Sequence, residues 1–73
     1  MTNISTLKAG DRIVFSNGHE SSVVNIMDAE DFLNICFMTE NKAKLSIFFR
    51  KETGEAPGTH YEIVKVIKNV QNI

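Results

Sequence analysis

The sequence predicts an all-β fold: a small Src-homology-type barrel or a curled antiparallel sheet of about five strands. Three observations carry that prediction. Apolar residues recur with a period of two over most of the chain, Asn17-Gly18 marks a tight hairpin, and β-branched and aromatic residues fill the alternating segments. At 73 residues the chain makes one domain and buries only about 60% of its unfolded surface, so self-association is an expected aid to stability. A composition that is 42% apolar and 23% charged belongs to a folding chain, not a disordered one.

Leu7–Asp11 reads as a turn launching a strand over Arg12–Ser16, with Ile13 and Phe15 on one face. Asn17-Gly18 follows as a two-residue type I′ turn, whose central positions both need positive φ, and a second strand, Glu20–Met27, returns antiparallel. Asp28–Asp31 is a polar break. Phe32–Met38 then alternates through Leu33, Ile35 and Phe37 as a strand; the rival is a short helix over residues 29–38, capped by Asp28 and acidic in its first turn. Glu40-Asn41 turns the chain into Ala43–Arg50, with Leu45, Ile47 and Phe49 inward and Lys44, Ser46 and Phe48 outward. Gly54, Pro57 and Gly58 make Lys51–Thr59 an exposed loop, and His60–Lys68 is the last strand. Ile63, Val66, Ile67, Val70 and Ile73 also satisfy a helical spacing, which leaves a C-terminal helix as the alternative.

Val23-Val24, Ile26-Met27 and Phe48-Phe49 are adjacent apolar pairs. A strand with one wet face should not carry apolar residues on both sides, so one member of each pair points away from the core. A β-bulge or a closed core accommodates such pairs. The alternative is an exposed apolar patch that binds a partner or a second copy of the chain. The expected contact surface is Phe48, Met27, Met38, Lys44 and Arg50, because adaptable methionines, rigid aromatics and Arg dominate interfaces.

Charge and motifs exclude more than they identify. Residues 1–41 carry a net −4 and residues 42–73 a net +3, summing to −1, which disfavours a polybasic nucleic-acid binder. Phe48, Tyr61, Lys44, Arg50 and Lys51 nevertheless form a candidate set for stacking and tracking single-stranded nucleic acid. Cys36, inside an apolar strand, reads as a buried core thiol with no base beside it. His19 and His60 read as surface histidines, Asp28, Glu30 and Asp31 lack the offsets of a calcium loop, and Gly10, Gly18, Gly54 and Gly58 form no phosphate loop. No catalytic residue, cofactor or metal is expected. Met1–Ser5 is not a secretory signal and no apolar run approaches the ~20 residues that span a bilayer, so a reducing cytoplasmic setting is expected.

Taken in order, Gly10-Asp11-Arg12-Ile13-Val14, Asn17-Gly18-His19, Val23-Val24, Phe49, Thr53-Gly54 and Glu62-Ile63-Val64 resemble a loose class of small phage and prophage proteins. In that class a strand, an Asn/Asp-Gly turn, an aromatic strand leading to a second Gly turn and a closing acidic-Ile/Leu-Val strand recur in this order. The resemblance covers about residues 7–67. The chain departs from it at His19, where Arg is usual, at Thr53, where Asp is usual, and in lacking Trp. It implies a phage accessory setting and supplies no site residues. A chain this short would then act stoichiometrically, occupying and inhibiting a host protein. More distantly, the opening Gly-Asp strand is similar to translation-elongation-type barrels, without the basic turn residues those use on nucleic acid.

Overall fold

The computed structural model describes residues 1–69. Five strands, β1 (Arg12–Phe15), β2 (Glu20–Ala29), β3 (Phe32–Met38), β4 (Lys44–Arg50) and β5 (Ile63–Ile67), form one antiparallel sheet in the order β4-β3-β2-β1-β5. The sheet curls without closing. Strands β4 and β5 are its edges, so of the two predicted architectures the chain adopts the open one.

No helix occurs among the described residues. The helix considered for residues 29–38 is replaced by β3, because burial there alternates strictly: Leu33, Ile35 and Phe37 are buried while Phe32, Asn34, Cys36 and Met38 are half-buried. A period of two suits a strand paired on both sides and would scatter these residues around a helix. At the C-terminus Ile63–Ile67 is a strand as well. Val70 and Ile73, which completed the helical spacing, lie outside the described residues.

Two bulges explain the Val23-Val24 pair and that spacing, while Ile26-Met27 and Phe48-Phe49 follow the ordinary alternation of one inward and one outward residue. Between Val23 and Asn25 the register with β3 shifts, and opposite Val14 and Phe15 the register with β5 shifts, leaving Val24 and Val64 without cross-strand partners. Both valines are exposed. An extra residue inverts the alternation, so Val23 and Ile26 both face the core, as do Ile63 and Val66. Residues three apart thereby share a side without any helix.

Chain reversals differ in type from the sequence reading. Asn17-Gly18 does not form a two-residue type I′ turn, because Asn17 is not at positive φ. Ser16, Asn17 and Gly18 make a three-residue loop instead, in which Gly18 N–H donates to the Phe15 carbonyl at 2.9 Å and Gly18 alone is left-handed at φ +90°. The β3–β4 connection repeats this design. There Lys42 N–H donates to the Thr39 carbonyl at 2.9 Å, and Lys42, with φ +62°, occupies the position that glycine holds in the first loop.

The segment predicted as an exposed loop after β4 is exposed at Glu52, Glu55 and Pro57–Thr59, but it turns Gly54 and Ala56 inward, where they are buried. Gly54 N–H donates to Arg50, Ile63 N–H donates to the Gly54 carbonyl at 2.8 Å, and Glu55 bridges to Glu62. Only glycine fits, since a Cβ at φ +78° would stand 2.5 Å from the Ile63 carbonyl oxygen. The N-terminal segment lies on this strut through Thr2 N–H to Thr53 and Ile4 N–H to Lys51, which carries Ile4 into the core. At the core's centre Phe15, Phe37 and Phe49 pack at ring separations of 5.0–6.1 Å.

Asp11 pins the start of β1 to the end of β5. Its buried carboxylate accepts from Lys8 N–H, from the Lys68 ammonium at 2.6 Å and from Asn69 N–H at 3.0 Å. Burial pushes this carboxyl upward, yet the Asn69, Lys68 and Lys8 hydrogen bonds outweigh it and hold the group below its ordinary value.

Candidate interaction surface

The curl sends alternate residues of β2, β3 and β4 to an outward face, where cross-strand register sets them in rows. Met27, Asn34 and Phe48 form the central row; Ala29, Phe32 and Arg50 flank it on one side and Asn25, Cys36 and Ser46 on the other. Met38 and Lys44, directly paired, end the surface. All five residues singled out in the sequence, Phe48, Met27, Met38, Lys44 and Arg50, therefore share one face. Phe48 is 53% and Met27 65% exposed, and they stand two strand spacings apart, roughly 10 Å.

Local structure fixes each of them. Phe48 faces out because Phe49 faces in: the ring of Phe49 is fully buried against Phe37. Arg50 lays its guanidinium over the Phe32 ring at 5.0 Å, a cation–π contact that holds the charge beside the central row. Met38 is half-buried, and at its backbone the Ser21 hydroxyl takes the place of a neighbouring strand, accepting from Met38 N–H at 3.1 Å and donating to its carbonyl at 2.9 Å. Among the described residues neither Lys44 nor Arg50 pairs with a carboxylate.

Phe32, Asn34 and Cys36 belong to this face and were not singled out in the sequence. The signal was present, since residues alternating with Leu33, Ile35 and Phe37 must point the other way. Cys36 consequently corrects the expectation of a core thiol: it is half-buried on the outward face between Asn25 and Ser46.

The set considered for nucleic acid is divided. Phe48, Lys44 and Arg50 lie on the outward face, whereas Tyr61 packs edge-on against Phe15 at 5.2 Å and Phe37 at 5.4 Å. Lys51 is engaged with Asp28 at 2.8 Å, and that hydrogen bond lowers the Asp28 carboxyl from its usual range. His19 and His60 do approach each other, lining with Tyr61 a cleft of about 190 Å³. His19 donates from Nε2 to the Met38 carbonyl at 3.2 Å and stacks on Phe15, a structural role. Among the described residues no three His, Cys, Asp or Glu side chains converge to hold a metal ion, and no helix is long and apolar enough to cross a membrane.

Compared with protein-family models, curated proteins and solved structures, the chain matches none.

Proposed function

We propose that this chain is a non-enzymatic binding module that occupies a protein partner through the outward β2–β3–β4 face, as a phage or prophage accessory protein inhibiting a host protein in the cytoplasm. One observation carries the reading: of the neighbours Phe48 and Phe49, one completes the core and the other stands half in water, in the same cross-strand row as the still more exposed Met27. An outward Phe adds little to the monomer, whereas covering it on a partner contributes about 2 kcal/mol. Met27 supplies an adaptable contact, and Arg50, already oriented by Phe32, supplies a directional one. The phage setting is supported by the order of turn and strand motifs from Gly10 to Val64.

The test is affinity recovery from a bacterial host lysate with the native chain, Phe48→Ala and Lys44→Glu, each with and without nuclease. Both substitutions sit on the surface, so unfolding free energy should move by less than about 1 kcal/mol. A partner recovered by the native chain despite nuclease, and lost by both variants, is the expected result. Unchanged recovery by both would place the contact elsewhere. Recovery of nucleic acid alone, with affinity falling steeply as salt rises, would replace this reading with the nucleic-acid one.

A further inference from the structure

The outward face adjoins a bare sheet edge. Hydrogen bonds at either end set the phase of β4: Thr39 N–H donates to Ala43 and Lys51 N–H donates to Asp31, so odd-numbered residues of β4 bond β3. Lys44, Ser46, Phe48 and Arg50 aim their backbone groups the other way. Arg50 is satisfied, donating to Glu55 at 2.7 Å and accepting from Gly54 at 2.9 Å. The amides and carbonyls of Lys44, Ser46 and Phe48 have no partner among the described residues. Along this edge Leu45 is exposed and Ile47 half-buried on the inner side, with Phe48 on the outer, so an added strand would find apolar footing on both faces.

We infer that the β4 edge receives an extended acidic segment of the partner as a sixth, antiparallel strand. This rests on the reading above and supplies its mode of recognition. Charge selects the occupant. The cations Lys42, Lys44 and Arg50 rim the edge and β4 contains no carboxylate. A second copy fits poorly. Two-fold pairing centred on Ser46, the register that matches the three free residues to one another, sets Lys42 opposite Arg50, and pairing centred on Ile47 sets Lys44 opposite Arg50, so both oppose like charges. The same cations that discourage self-pairing attract Asp or Glu. Lys44 and Arg50 are six residues apart, roughly 20 Å along a strand. The fitting segment therefore has seven residues: acidic at its first and seventh, and apolar at its fourth and sixth, opposite Ile47 and Leu45.

The experiment uses a synthetic peptide of that pattern, Asp-Thr-Val-Val-Thr-Ile-Asp, with two controls: a twin carrying Lys at both ends, and a twin N-methylated on the amides that face β4. Amide exchange is followed by NMR on the full chain. Slowed exchange at Lys44, Ser46 and Phe48, with binding lost by both twins, is the expected result. Ser46→Pro, which removes an edge donor that bonds nothing in the sheet, should weaken the peptide about tenfold. Equal binding of the Lys-ended or methylated twin overturns the inference. So does concentration-dependent protection of the edge without peptide, which would make the occupant a second copy. Lysate recovery separates the two proposals: if Phe48→Ala loses the partner while folded Ser46→Pro keeps it, the docking face stands and strand addition fails.

Discussion

The two edges of the sheet have similar residues and opposite fates. Strands β4 and β5 both carry cations and both contain exposed aliphatic or aromatic groups. On β5 the chain returns to both ends of its own edge: at one, Ile63 N–H is taken by Gly54 and the Val64 carbonyl accepts from Thr2 Oγ1 at 3.0 Å; just past the other, Asp11 ties down Lys68 and Asn69. On β4 only the Arg50 end is capped. An edge's availability is thus decided less by its own composition than by whether a distant segment comes back to it.

The largest effect should come from breaking the covered edge. Gly54→Ala places a Cβ against the Ile63 carbonyl and is expected to cost about 3 kcal/mol or more in urea unfolding. Gly18→Ala, at comparable φ but with nothing within 4 Å, should cost only about 1 kcal/mol. Equal losses would mean that backbone angle alone matters and that the strut is not a tight contact.

Next in size is the Asp11 pin. Asp11→Asn removes the charge that the Lys68 ammonium and two amides are bound to, with an expected loss of about 2 kcal/mol at neutral pH. Because the folded carboxyl lies below its unfolded value of 3.8, its stabilisation is complete well above that value and disappears as pH falls through the lower folded one. Stability of the native chain should therefore decline below about pH 5. Chemical denaturation across pH should show a flatter acid limb in the variant; an identical limb would assign acid sensitivity to other carboxylates.

The smallest effect sharpens the picture of the bare edge. Lys42→Gly relieves a left-handed lysine and should stabilise the fold by about 0.5–1 kcal/mol, while removing one cation from the rim of β4. Thermal unfolding should rise as affinity for the acid-ended peptide falls, an opposition that a purely structural Lys42 would not produce.

Much of the candidate face was legible before any coordinates. Alternation in Ala43–Arg50 separates Phe48 from Phe49, and the doubled apolar residues announce that something faces outward. Less legible was Cys36, because an apolar strand sequence reads as uniformly buried until the parity of its neighbours is followed. The helical spacing of Ile63 and Val66 misled for a definite reason: a bulge and a helix both bring residues three apart to one side, and only pairing distinguishes them. Nor does an Asn-Gly pair specify its loop length, which the Phe15–His19 closure sets.

By itself the sequence determined the strand class and most inward and outward positions, because side-chain alternation is a local property of the backbone. Tertiary structure decided which edge is sheltered, where the bulges invert the pattern, and that Gly54 and Ile4 belong to the packed interior. Those outcomes depend on contacts such as Thr2 with Val64, between segments far apart in the chain, whose meeting no local pattern encodes.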